Sequence, residues 1–481
     1  MRREEEWSVE RPGAARLSES ERTFLHERTL WVLGHVGVSV RSMRALDLLA
    51  EGGAVVDRQR SIARIPQTLV EHCLATAPRD VLLAARDSSR DIHLGAGGPL
   101  VCCADGEGTL VTDDATGAIR DATVDDMRDV CRLYDALPEI DFLWTSLSAP
   151  ALDPVVAPLI VDAVALRESS KHVQSVSPKS PEMVPALVAM LEAAAGHSLF
   201  DRPIYSFLHC TVAPLQHDPV ITEASLDLVA RGATICLTSM PQMGSTAPLS
   251  VLGLCAVVMA ELLSGVVLFQ LARPGGQLVV GPMPGATDMR SGQYLGGAPE
   301  VSVANRLCVG MCRSYGLPTI GSGSTNDAGA VDYQAGSESM LLWLSVALAG
   351  ADGLVAGSFI NGSRVLSPAK LILDADAIGM LHRYIDGVTL DPADVLLDDI
   401  AAVGPGGHFL GSDSTRARAG GMFAPRAFQR RQQRDAVATR LVEEAAARAR
   451  DILATHEVEP LPEHAGMLID AAIRKYRETA G

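Results

Sequence analysis

Leu317-Pro-Thr-Ile-Gly-Ser-Gly-Ser-Thr-Asn-Asp-Ala-Gly-Ala-Val-Asp-Tyr-Gln-Ala-Gly-Ser-Glu338 runs a short apolar segment, Leu317 to Ile320, into a loop of Gly and Ser. The loop then spends Asn326, Asp327, Asp332, Gln334 and Glu338 before an apolar helix, Ser339 to Ala349. Polar chemistry between two buried elements is where α/β proteins keep their sites. The fold therefore turns on which sheet owns that strand.

Working outward, the same beat recurs. Leu100–Cys103, Phe142–Thr145, Val173–Val176 and Ile204–Leu208 are short apolar or β-branched runs, as are Thr234–Leu237, Leu278–Val280, Pro318–Ile320 and Leu354–Ala356. They lie roughly 30 to 45 residues apart, with helical patterns such as Val124–Ala136 and Ser180–Glu192 between them. Eight strands alternating with helical crossovers is the count of a (β/α)8 TIM barrel. The competing architecture is a doubly wound open sheet, but no Gly-x-Gly-x-x-Gly opens the first helix. Each run exits into small and polar residues, for example Ala104-Asp-Gly-Glu-Gly108, Ser177-Pro-Lys179 and Ser239-Met-Pro-Gln-Met-Gly-Ser-Thr246. In a barrel these exits gather at one catalytic face.

The flanks are helical. Residues 1–95 read as an N-terminal helical region: a loose arm to about residue 14, then helices from Ser18, from Ser42 and from Pro66. Residues 96–410 read as the barrel. Residues 411–481 read as a C-terminal helical extension, with helices over Ala436–Leu453 and Ala465–Thr479. The most apolar run, Leu249–Leu271, contains Glu261 and Gln270, and reads as a buried helix rather than a membrane span.

Composition narrows the function. At 481 residues and 47% hydrophobic content there is ample material for a large core. A net charge of −17, with one short basic cluster at Arg426–Arg434, argues against a nucleic-acid binder. The nine cysteines show no Cys-x-x-Cys pair, as expected of reduced core thiols in a cytoplasmic protein, and the charged N-terminus carries no signal-peptide pattern.

Asp288, Asp327, Asp332 and Glu338 could collect a hard cation, but no fixed ligand spacing demands one, and loop carboxylates usually cap helices. His209-Cys210 lacks a partner set for zinc. No Gly-x-Ser-x-Gly elbow supports a nucleophile, and Gly321–Thr325 has no Lys to make it a phosphate cradle. Aromatic residues make up only 4%, which draws attention to Trp144, Tyr205, Phe207, Tyr333, Phe359 and Phe409, all in or beside strand exits or the Gly404–Gly411 turn. Aromatic faces beside carboxylates suit a quaternary ammonium.

Several blocks together resemble the trimethylamine methyltransferase family, in particular its members without pyrrolysine. They include Met240-Pro-Gln-Met-Gly-Ser-Thr-Ala-Pro248, Tyr315-Gly-Leu-Pro318, Thr325-Asn-Asp327 with Asp332-Tyr-Gln-Ala-Gly336, and Gly404-Pro-Gly-Gly-His-Phe-Leu-Gly411. The resemblance spans about residues 18 to 480. It implies a (β/α)8 barrel and methyl transfer from a methylated amine to the cobalt of a separate corrinoid protein. Cobalamin is thus carried by a partner and no cofactor is tightly bound. Relatives without pyrrolysine include enzymes for glycine betaine. Ser337 and Ala328–Gly329 depart from the pattern, which holds an aromatic and a Lys there, so the pocket is read as remodelled.

A quaternary amine leaves as a neutral amine, so no catalytic side chain and no metal is expected. On this reading Asp327, Asp332 and Glu338, with Tyr205, Tyr333 and Phe359, surround the cation. His209, Asn326, Gln334, Arg364 or His408 would hold its other end. The partners expected are a corrinoid protein and a quaternary amine, within a homo-oligomer. Two competing functions are a metal-dependent lyase or aldolase using Asp288, Asp327 and Glu338, and a non-catalytic betaine sensor.

Overall fold

A computed structural model describes residues 17–95, 97–113, 116–176, 178–323, 325–428, 430 and 440–480. The expectations for the loose N-terminal arm, for residues 431–434 of the basic cluster and for the start of the Ala436 helix lie outside the described residues.

All eight runs become parallel strands. They are β1 (Val101–Cys103), β2 (Leu143–Trp144), β3 (Val173–Val176), β4 (Tyr205–Cys210), β5 (Thr234–Ser239), β6 (Leu278–Pro282), β7 (Ile320–Gly321) and β8 (Gly353–Val355). A helix follows each: α1 (Val124–Ala136), α2 (Ala157–Glu168), α3 (Val184–Ala195), α4 (Pro219–Arg231), α5 (Val251–Ala272), α6 (Pro299–Ser314), α7 (Tyr333–Leu348) and α8 (Pro368–Asp386). One parallel sheet has the order β6-β5-β4-β3-β2 and a second β7-β8-β1. Single parallel bridges, Cys103↔Phe142 and Val280↔Thr319, join β1 to β2 and β6 to β7.

Strand side chains alternate, so they divide into two cores. Val101, Cys103, Phe142, Trp144, Leu208, Cys236, Val279, Met283, Ile320 and Val355 form one cluster on the inner face. Tyr205, Phe207, Ile235 and Leu237 belong to the larger cluster shared with the helices. An antiparallel hairpin, Asp80–Leu83 with Ile92–Gly95, adds Val81, Leu83, Ile92 and Leu94 to the inner cluster. The segment leading out of the N-terminal region is therefore part of the strand core.

Helix α5 is apolar on nearly every side because, beyond its first turn, it is mostly covered. Its 22 residues are long and apolar enough to cross a membrane by length and composition. Here they lie among β5, β6, α6 and the N-terminal helices Glu19–Trp31, Met43–Glu51 and Gln67–Thr76. Its buried Glu261 accepts from Thr211 Oγ1 (2.6 Å), Ser239 Oγ (2.7 Å) and Leu215 N (2.8 Å). One carboxylate thus ties the exits of β4 and β5 together. Burial holds it above the usual carboxylate range against those three bonds.

The C-terminal helices pack back on the outside, Leu441–Thr455 against α8 and α1, and Ala465–Ala480 against α3 and α2. All nine cysteines are free thiols and only Cys210 is less than fully buried.

Candidate functional site

A cavity of about 490 Å³ opens where the parallel strands end, and every one of the eight contributes to its wall. Asp105, Gly106 and Glu107 follow β1, Trp144 ends β2, and Val176 and Lys179 come from β3 and its exit. Leu208 and Cys210 come from β4, Met240 and Gln242 follow β5, and Met283 and Tyr294 follow β6. Ser322 and Thr325 follow β7, and Val355, Gly362 and Ser363 close the ring after β8.

The inner-face register explains the acids. Val101 and Cys103 face inward, and the period of two carries Asp105 to the same side. Glu107 follows with φ 79°, in the left-handed region where non-glycine residues are strained. Two bonds pin it there: Glu107 N and Gly108 N both donate to the Ser146 carbonyl (3.1 and 2.9 Å). Ser358, Asn361 and Ser363, after β8, share this conformation (φ 68°, 56° and 63°). Strained backbone thus gathers beside the cavity. Burial pushes the Glu107 carboxyl above the usual range, Lys179 pulls it down, and Asp105 raises it further.

The rings are held by close backbone approach. A Cβ on Gly106 would overlap the Trp144 indole, so only glycine lets Asp105 and Glu107 pass over that ring. Trp144 is buried, and its indole N–H has no acceptor among the described residues. Tyr294 sits over Gly285, and burial raises its phenol to about 12. Two carboxylates, two aromatic rings and the thioethers of Met240 and Met283 can together hold a small, weakly hydrated cation. Lys179 is exposed at the rim and is the one Lys or Arg among the lining residues.

Of the strand-exit aromatics singled out in the sequence only Trp144 lines this cavity, and none of the residues expected to surround the substrate does. Tyr205 and His209 lie on the outward strand face. Tyr205 stands beside Asp162 of α2, whose carboxyl burial drives to about 7. His209 Nδ1 meets Ser225 Oγ (2.9 Å) and its Nε2 faces His217 (3.3 Å), with burial depressing both imidazoles. Phe359 is fully buried against Gly108. Asp332 caps α7 by accepting from Ala335 N (3.1 Å), and Tyr333, the next residue, is 92% exposed. Arg364 and His408 are exposed. Asp288 closes its own turn with Arg290 N and Ser291 Oγ (3.0 and 2.7 Å).

Four of the expected residues do come together, immediately behind the wall. Asp327 accepts from Gly296 N (2.8 Å) and Gly297 N (3.1 Å). Glu338 accepts from Asp327 N (2.7 Å) and Gln334 Nε2 (2.8 Å). Asn326 donates to the Phe359 carbonyl (2.7 Å). This network holds the segment carrying Tyr294 against the one carrying Thr325. Burial raises the Asp327 carboxyl while the two glycine amides lower it. Among the described residues no group of three or more His, Cys, Asp or Glu is placed to hold a metal ion.

The fold defines an α/β protein with an acid-and-aromatic cavity at its strand ends. A family model described as Trimethylamine methyltransferase (MTTB) matches residues 4–481. The trimethylamine methyltransferase MttB of Desulfitobacterium hafniense is 27% identical over 478 residues, covering 98% of this chain and 96% of that one. The glycine betaine methyltransferase of Desulfitobacterium hafniense strain Y51 is 27% identical over 403 residues, 83% of each chain. Among solved structures, the Methanosarcina barkeri monomethylamine methyltransferase MtmB shares the fold, with a TM-score of 0.51 at 12% identity over 95% of this chain and 92% of its own. The chain belongs to the trimethylamine methyltransferase family.

Proposed function

We propose that this chain takes a methyl group from a quaternary amine of the glycine betaine type and passes it to the cobalt of a separate corrinoid protein. The observation that carries the reading is the pairing of Asp105 and Glu107 with the Trp144 and Tyr294 rings in one cavity. It supplies charge and polarisable surface for an N-methylated cation. We read the eight parallel strands as a (β/α)8 barrel. The two single bridges between the sheets and the contribution of all eight strand ends to one cavity support that.

When bound, the corrinoid supplies a strongly nucleophilic cobalt. The residues of this chain hold the cation, exclude water and aim one methyl outward, which is catalysis by positioning. Lys179 at the rim and the free indole N–H of Trp144 are donors suited to a carboxylate on the same ligand. Asp327, Glu338 and Asn326 serve behind them, keeping Tyr294 and Thr325 in place. The protein works in the cytoplasm as an assembly of identical chains.

The test is direct. The purified chain is mixed with glycine betaine and a reduced corrinoid carrier, and dimethylglycine is measured. One dimethylglycine per carrier is expected. No demethylated product from glycine betaine or from a panel including carnitine and choline overturns the reading, and binding without product leaves the sensor in its place.

A further inference from the structure

We propose that Tyr134 is a positioning residue for the cavity: behind the wall, its hydroxyl locks the exits of β1, β2 and β8 together and so sets where Asp105, Glu107 and Trp144 stand. This role deepens the reading of that cavity as the methyl-donor site and rests on it.

Helix α1 carries Val130, Leu133 and Tyr134 on one buried face. Tyr134 is fully buried there, in the core shared by strands and helices. Phenylalanine would fill nearly the same space, so the phenol oxygen has to be explained by its partners. It lies 2.7 Å from Ser358 Oγ, after β8. Ser146, after β2, is its second hydrogen-bond partner.

Each partner is held in turn. Ser146 Oγ donates to the carbonyls of Asp105 and Trp144, the latter at 2.9 Å. With that proton committed, Ser146 Oγ accepts from Tyr134, and Tyr134 accepts from Ser358. The three hydroxyls thus form one directed chain, in which each link strengthens the next. The Ser146 carbonyl also takes the backbone N–H groups of Glu107 and Gly108. One serine therefore holds the backbone of both cavity acids and of Trp144. At the other end Ser358 N donates to the Asp374 carboxylate (2.9 Å), which Lys370 Nζ also contacts (2.5 Å). Lys370 and Asp374 are both buried on α8, so Ser358 is tied to a charge pair that is costly to break.

The chain also ends on strained backbone. Glu107 and Ser358 take φ 79° and 68°. Non-glycine residues stay in that region only where their surroundings over-determine them. Tyr134 joins the two positions, and it does not itself line the cavity.

Tyr134→Phe keeps the ring and removes one oxygen. The full chain, labelled with fluorotryptophan, is studied by fluorine NMR without ligand, the lines of Trp144 and Trp31 being assigned by replacing each with Phe. In Tyr134→Phe the Trp144 line should shift or broaden, while the line of Trp31, on the N-terminal helix Glu19–Trp31, stays in place. Glycine betaine affinity, by calorimetry, should fall about tenfold, as when a binding group is slightly misplaced. Asp332→Ala removes a helix cap away from the cavity and should leave affinity within about twofold, which separates misplacement from lost stability. If Tyr134→Phe does not fold, Ser358→Ala cuts the same chain one link on and should give both changes. An unmoved Trp144 line in a folded variant, or affinity within about twofold of wild type, overturns the proposal. A wild type that binds no quaternary amine overturns the methyl-donor reading instead, and the ligand-free spectra still decide whether Tyr134 sets the wall.

Discussion

Two strand exits of similar composition do opposite things. The exit of β1, Ala104-Asp-Gly-Glu-Gly108, and the exit of β7, which runs on to Glu338, both set acids among small residues. After β1 the acid side chains line the cavity. After β7 each acid is spent on a backbone N–H: Asp327 on Gly296 and Gly297, Asp332 on Ala335, Glu338 on Asp327. Local amides decide the matter. Glycine-rich neighbours and a helix start offer unsatisfied N–H groups that capture a nearby carboxylate. In the β1 exit the backbone N–H groups of Glu107 and Gly108 are taken by the Ser146 carbonyl and do not capture the neighbouring carboxylates.

The largest effect that could break this contrast belongs to the β1 exit. Glu107→Gln with Asp105→Asn removes both negative charges of the cavity lining. Glycine betaine affinity, measured by calorimetry, should fall about a hundredfold, as when one partner of a buried ion pair is lost. Unchanged affinity would remove the β1 exit from the site. A second measurement sharpens the assignment through pH. Burial raises the Glu107 carboxyl, and only its ionised form attracts a cation. Wild-type affinity should therefore be full at neutral pH. It should weaken as pH falls through a midpoint above the usual carboxylate range, and Glu107→Gln should flatten that dependence.

Next in size is Trp144→Leu. Losing the ring face should weaken binding about tenfold, since a desolvated cation–π contact is worth roughly 1–2 kcal/mol. The melting temperature should also drop, because Trp144 belongs to the inner core. A loss of stability with no change in affinity would make it core alone.

The fold was legible in the sequence to a degree the site was not. The eight apolar runs were each long enough, and evenly enough spaced by helical patterns, to mark the strands that formed. The site was sought where polar residues were densest, at Asn326–Glu338, and density is a poor guide because helix starts and tight loops consume carboxylates. Register was the signal available: Val101, Cys103 and Asp105 alternate, which places Asp105 on whichever face the strand buries inward. Tyr205, Phe207 and His209 alternate as well, but nothing in the sequence says which face of β4 meets the helices. Only packing against Asp162, Ser225 and Phe269 settles it. Tyr294 was out of reach, since it enters the wall from a short strand beyond β6.

The two smallest effects test the β7 exit. Asp327→Asn keeps one acceptor for Gly296 or Gly297 but loses the charge, which should cost about 1–2 kcal/mol of stability in denaturant titration. Affinity should change by less than about tenfold, through loosening of Tyr294. Asp332→Ala removes only the cap of α7. It should lower stability by about 1 kcal/mol and leave betaine affinity within about twofold, because the side chain points to Ala335 N and its neighbour Tyr333 is in solvent. The pair of measurements separates the roles better than either alone. A cap moves stability only, a wall support moves stability more than affinity, and a ligand residue such as Glu107 moves affinity first. If Asp332→Ala weakened binding tenfold with its stability intact, the β7 exit would belong in the cavity wall, and the contrast between the two exits would fail.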